Sequence, residues 1–122
     1  MNGQSGFSLI EMLVVMGIIG IVLSVMTPNY SRVLSQAKVS KAKMEVVHIS
    51  NAVNMYYMDN NAYPTSLSQL TTGGSNAYLK ALPLDPWQHA YVYSNNTVRS
   101  YGADGTAGGT LLNADIISTN NL

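Results

Sequence analysis

Residues 7–26 (FSLIEMLVVMGIIGIVLSVM) form an uninterrupted apolar run with a single carboxylate, Glu11, set inside it. At roughly 1.5 Å of rise per helical residue the run reaches about 30 Å, the thickness of a bilayer's hydrocarbon core. The pattern therefore predicts a membrane helix. An ionised acid at that depth costs on the order of 2.5–3.5 kcal/mol on insertion scales, so Glu11 calls for a positive partner. A secretory signal peptide fits poorly: no Lys or Arg precedes the run, and it ends in Met26-Thr27-Pro28 where small residues should mark a cleavage site. A plain anchor with an incidental acid is the simpler alternative, and it leaves Glu11 unexplained.

The rest of the chain has room for one small domain, since the whole is 122 residues. Cysteine is absent, so neither a disulfide nor a thiolate zinc site can staple that domain. The remaining supports are a hard metal ion, a long packed helix or oligomerisation. Formal net charge is zero and only 10% of residues are charged, which excludes the strongly basic surface of a nucleic-acid binder.

Beyond Met26 the helical pattern continues. Pro28 removes one backbone hydrogen bond and Gly17 and Gly20 lie inside the span, so a bend or locally unwound stretch is expected between Gly20 and Pro28. Over residues 29–60 the apolar positions Val33, Leu34, Ala37, Ala42, Val46, Ile49, Val53, Tyr56 and Tyr57 have the three-and-four spacing of an amphipathic helix. Lys38, Lys41, Lys43, Glu45 and Asn54 form its polar face, a solvated face in the simplest reading and otherwise one that meets phospholipid headgroups or another subunit. The helix should stop at Asp59-Asn60-Asn61, ahead of Tyr63-Pro64. Residues 61–122 then read as loop, a short helical turn over residues 77–82, and a hairpin of strands 90–94 and 97–101 turning at Asn95-Asn96. Only the last four or five residues read as disordered. The fold class is α+β, a long helix packed on a small antiparallel sheet with a loop-rich end.

The boundary Gly6-Phe7, followed by Ser8, Leu9, Ile10 and Glu11, resembles the class III signal of type IV pilins and type II secretion pseudopilins. The resemblance implies that residues 1–6 are a leader, that a prepilin peptidase cuts between Gly6 and Phe7, and that the new Phe7 amine is methylated. It also implies that Glu11 neutralises the Phe7 amine of a neighbouring subunit as copies stack into a helical filament. Pro28 matches the family's proline, in the region that is extended in assembled filaments. The leader lacks the basic residues common in the family, so an upstream start codon or a trimmed leader is expected. Arg32, Lys38, Lys41 and Lys43 all lie beyond the span, which taken alone would place the carboxyl-terminal side in the cytoplasm; the processing motif places it in the periplasm.

Downstream, Tyr56, Asp59, Tyr63-Pro64-Thr65, Asp85-Pro86-Trp87, Tyr91, Tyr93, Ser100-Tyr101-Gly102-Ala103-Asp104-Gly105, Gly108-Gly109 and Ala114-Asp115-Ile116 look like the major pseudopilin of type II secretion systems. Two departures stand out: Gln88 replaces a glycine after Asp-Pro-Trp, and the family's terminal tryptophan is missing. By the same resemblance the loop of residues 101–113 would bind calcium through Asp104 and the carbonyls of Tyr101 and Thr106. The family's second carboxylate is replaced by Thr110-Leu111-Leu112, which leaves Asp115 as the substitute if the loop folds back. Oxygen donors of this kind suit calcium, which takes six to eight at about 2.3–2.6 Å. A turn capped by Asp104 without metal is the alternative.

Other chemistries find little support. His48 and His89 are the only imidazoles and have no second ligand at zinc spacing. The glycines of residues 102–109 lack the lysine of a phosphate-binding loop. The expectation is a structural, non-enzymatic subunit, anchored once in the bacterial inner membrane and assembled into a periplasmic or extracellular filament. Its implied partners are other copies, minor pseudopilins, and the secretion assembly platform with its ATPase, with no nucleic acid. The alternative is a type IV pilus for adhesion, motility or DNA uptake, or a lineage-specific pseudopilus. A DNA-uptake pilin would need a basic outer domain, where only Lys80 and Arg99 are available.

Overall fold

The computed structural model describes residues 6–118, with residues 27 and 28 described by backbone alone. The expected leader apart from Gly6, and the expected disordered end, lie outside the described residues. The chain forms two compact units, one running through Leu34 and the other beginning at Ser35. One helix, α1 (Leu9–Asn60), contributes to both.

In the first unit α1 starts directly after Ser8, whose hydroxyl accepts the Glu11 backbone N–H at 3.3 Å. The Glu11 carboxylate in turn accepts the Ser8 N–H at 3.4 Å. This reciprocal pair is a capping box, which satisfies donors that the first helical turn leaves orphaned. From Leu9 to Met26 none of the helix is buried within the chain. The helical backbone runs through Gly20 and Pro28 without interruption, so of the expected bend or unwound stretch the unwinding does not form in this single chain. The bond a proline removes is one among many in a helix of 52 residues, and the turns on either side hold the geometry.

In the second unit Ala42, Val46, Ile49, Ala52 and Val53 of α1 are buried at helical spacing. All but Ala42 pack with Leu67, Leu70, Leu79, Tyr91 and Val98 into one core, bordered by Tyr56, Tyr63, Tyr78, Tyr93 and Ile116. Burial of each large aliphatic side chain contributes roughly 1.5–3 kcal/mol. Val33, Leu34 and Ala37 share the same spacing but are exposed, so the packed face begins at Ala42. Tyr57 lies largely outside the core and stacks on Tyr63 with ring centroids 4.4 Å apart. The helix ends where expected: Asn61 takes a left-handed φ of 50° and its N–H closes on the Tyr57 carbonyl at 2.8 Å.

After α1 the chain makes two short 3₁₀ turns, Leu67–Leu70 and Gly74–Asn76. The helical turn expected over residues 77–82 is absent. Leu79 is instead drawn into the core with its N–H on the Leu70 carbonyl at 2.9 Å, and the approach to Pro83 avoids helix. The hairpin forms as β1 (Val92–Ser94) and β2 (Thr97–Ser100), shorter than expected at its outer ends. Asn95 and Asn96 both have positive φ, 50° and 58°, as a type I′ turn requires. A third strand, β3 (Ile116–Ile117), pairs antiparallel with β2 and gives the sheet order β1-β2-β3. Two residues carry no readable alternation, so the sequence pattern did not reveal it.

Candidate assembly segment and C-terminal loop

Gly6 and Phe7 are exposed, Phe7 to 82%, so the expected processing boundary is open to an enzyme. Glu11 lies one helical turn further on, flanked by exposed Ile10, Met12, Val14 and Val15. Within the described residues its carboxylate has only the Ser8 N–H as partner, a contact at the long end of hydrogen bonding. The arrangement can do one thing chemically: present an anion in apolar surroundings to a cation supplied from outside the chain. Sequence reasoning missed the Ser8 role, although Ser-x-x-Glu ahead of an apolar run is a capping-box pattern.

The second candidate site is the loop of residues 101–115. Two 3₁₀ turns, Gly102–Asp104 and Leu111–Asn113, frame it. Gly102 takes a φ of 75°, and a Cβ there would come 2.8 Å from the Leu112 carbonyl oxygen, so the loop closes only over glycine. Asp104 is exposed and its Oδ1 accepts the Thr106 N–H at 3.2 Å. Asp115 reaches back into the loop, its Oδ1 accepting the Gly108 N–H at 3.0 Å. Tyr101 is half-buried and Thr106 exposed. The fold therefore ties each carboxylate to a separate stretch of the same loop. Among the described residues no three acidic, histidine or cysteine side chains gather as a metal cluster. A cation here would need backbone carbonyls to complete its shell, and oxygens of that class are the donors calcium accepts. Leu111, in the stretch where the resemblance expects an acid, is 90% exposed at a φ of 56°.

Behind this loop stands a cluster the sequence did not announce. Asp85 is 1% exposed. Its Oδ1 accepts the N–H groups of Trp87 at 3.1 Å and His89 at 2.7 Å, and its Oδ2 accepts the Ser100 hydroxyl at 2.8 Å. Ser100 Oγ then accepts the Gly102 N–H at 3.3 Å, and the His89 ring nitrogen Nδ1 lies 3.3 Å from the Gly102 carbonyl. The same ring lies against Gly105, where a Cβ would meet it at 3.0 Å. One buried carboxylate thus fastens residues 85–89, β2 and the start of the loop together. Gln88 closes that turn with a φ of 70°, a left-handed conformation that glycine, the residue the resemblance expects there, adopts without strain.

Elsewhere in the unit Tyr91 donates its hydroxyl proton to Glu45, which also pairs with Lys41 at 3.7 Å. Burial, and then the Glu45 carboxylate, push the Tyr91 hydroxyl above the ordinary tyrosine range. Tyr78 donates to Asp59 at 2.8 Å, and that bond is the main cause of its own upward shift. Neither arrangement has the nucleophile-and-base geometry of a reaction centre.

A model of the family described as type II secretion system (T2SS), protein G matches residues 29–119, and a prokaryotic N-terminal methylation motif matches residues 1–27. The chain is similar to the type II secretion system core protein G of Pseudomonas aeruginosa, 39% identical, with 93% of each chain covered. It is 37% identical to that of Vibrio cholerae, with 95% of this chain and 92% of the relative covered. The relative in Escherichia coli is 36% identical, with 75% of this chain and 72% of that one covered.

Proposed function

Because this chain belongs to the type II secretion system protein G family, the major pseudopilins, we propose that its copies assemble by pairing Glu11 of one subunit with the Phe7 amine of the next. The protein is a structural subunit of a pseudopilus filament, which sets aside the pilus alternatives. It is a substrate of prepilin peptidase, and its apolar helix anchors it in the bacterial inner membrane. In our reading the cut falls between Gly6 and Phe7 and the new amine is methylated. The second unit then faces the periplasm.

The observation that carries the reading is Glu11 itself, an exposed acid in an apolar helix whose one partner among the described residues is a neighbouring N–H of its own chain. Either charge alone disfavours a dry environment, while the two together favour the axial register in which they meet. Extraction of the helix from lipid into a bundle of like helices exchanges one apolar environment for another, so the charge pair rather than apolar burial selects the register. The driving work belongs to the assembly platform and its ATPase, with minor pseudopilins as further partners. Glu11→Ala leaves membrane insertion intact and abolishes filaments; normal filaments from that variant would sink the pairing.

A calcium ion in the loop of residues 101–115 is supported by the return of Asp115 to Gly108. Asp104, Asp115 and the carbonyls of Tyr101 and Thr106 would hold it, and bound calcium would supply the cross-link that a cysteine-free domain lacks. Ligand at one hundred times its dissociation constant stabilises by about 2.7 kcal/mol. In detergent, calcium should therefore raise the melting temperature of the full chain and Asp115→Asn should remove the shift. An unchanged melt in millimolar calcium leaves the turn capped by Asp104 alone.

A further inference from the structure

Between Glu11 and Glu45 the chain holds no acid, yet Arg32, Lys38, Lys41 and Lys43 all fall in that interval. Lys41 has its partner in Glu45. Arg32 is exposed and makes no ion pair or side-chain hydrogen bond among the described residues. It follows the end of the apolar span, Met26, by six positions on an unbroken helix, and Tyr30, 71% exposed, lies between. At roughly 1.5 Å per residue the Arg32 backbone stands about 9 Å past the apolar boundary. The headgroup layer of one leaflet is about 5–7 Å deep.

Helical side chains tilt toward the helix amino terminus, and here that direction is back toward the span. An extended arginine therefore brings its guanidinium down into the headgroup layer while its methylenes run along the helix. Tyr30 sits where membrane helices carry their interfacial aromatics. We propose that Arg32 binds the phosphate of an anionic lipid headgroup, with Tyr30 anchoring the opposite face of the helix in the same interface, and so sets the depth at which the unassembled subunit waits in the membrane. A planar guanidinium forks onto two phosphate oxygens, which an ammonium cannot do. Assembly must break this contact as the helix leaves the bilayer, so anionic lipid opposes extraction. The inference rests on the membrane-anchored reading above.

The test uses the full chain, which has no native cysteine, labelled with bimane at Asn29→Cys. It is reconstituted in vesicles of phosphatidylcholine with phosphatidylglycerol, and brominated quencher is placed on one lipid or the other. The label should report roughly fivefold enrichment of phosphatidylglycerol, the effect of one basic residue at an anionic surface. Arg32→Gln should bring the preference to one, while Arg32→Lys retains part of it and Lys43→Gln all of it. Equal quenching by both lipids in the unsubstituted chain, or a preference untouched by Arg32→Gln, overturns the proposal. Loss of the preference in inorganic phosphate but not in chloride of matched ionic strength also overturns it, because the site then takes free phosphate. A label quenched by neither lipid sinks the membrane-anchored reading itself, an outcome distinct from the others.

Discussion

Through Leu34 the side chains of α1 are exposed wherever described, whereas from Ser35 onward the chain supplies most of its own partners. In the second unit, among the side-chain polar atoms of the described residues, only Asn54 Oδ1 and Arg99 Nε are buried without a hydrogen bond. In the first unit the one carboxylate, Glu11, accepts only the Ser8 N–H at 3.4 Å among the described residues. The difference teaches where each unit's stability comes from. The first takes its environment from lipid or from other copies, and the second carries a core and a polar network of its own. A substitution in one unit should leave the other's readout unchanged.

The hardest test of that separation is Asp85→Ala. Three hydrogen bonds converge on a carboxylate that is 1% exposed, and removing it strands the donors of Trp87, His89 and Ser100. Each buried donor left without its acceptor costs about 1–3 kcal/mol, so the loss is a large share of a small domain's stability. Thermal unfolding followed by Trp87 fluorescence should show that loss, while co-flotation of the chain with vesicles stays normal. A variant that no longer floats would show the two units to be coupled. Asp85→Asn, which keeps an acceptor, should fall between.

Asp85 also marks the limit of what the sequence disclosed. Glu11, the helix end at Asn60 and the Asn95-Asn96 turn were legible because each is a local signal: a charge in an apolar run, a left-handed cap, a pair of turn residues. Asp85 could not be read the same way. Its burial depends on Ser100 fifteen positions away and on a loop that folds over it. β3 was missed for a related reason, since Ile116 and Ile117 become a strand only because β2 offers an edge. Of the loop residues, Asp104 was named through resemblance and Asp115 as a substitute for the acid the resemblance expects, and only the fold shows Asp115 bonded to Gly108.

Tyr91 offers a pH test of the second unit alone. Folded Tyr91 holds its proton above the ordinary range, by burial first and the Glu45 carboxylate second. The unfolded side chain titrates near its usual value of about 10. Its stabilisation is therefore complete below about pH 10 and is lost as pH rises toward the folded value. Tyr91→Phe should cost about 1 kcal/mol at neutral pH and flatten the fall in stability between about pH 10 and 11. Tyr78 and Tyr93, also shifted upward, keep some slope in the variant. An unchanged slope would mean that neither the burial of Tyr91 nor its Glu45 contact holds in solution.

The smallest effect expected is a gain. Gln88 holds a φ of 70° while its N–H donates to the Asp85 carbonyl at 2.9 Å, so the turn needs that left-handed backbone. For a residue with a Cβ the conformation costs roughly 1–2 kcal/mol. Glycine removes that penalty but gives back about 0.5–1 kcal/mol through the entropy of a freer unfolded chain. The difference favours Gln88→Gly by about 0.5–1 kcal/mol, or a few degrees in melting temperature for a domain of this size. Asparagine, which tolerates the left-handed region through local hydrogen bonds, should recover part of the gain. Filament yield and lipid preference should not move in either variant, because the strain relieved is internal to the second unit. A melting temperature that falls with glycine would mean that the exposed Gln88 side chain stabilises the turn by more than its backbone strains it.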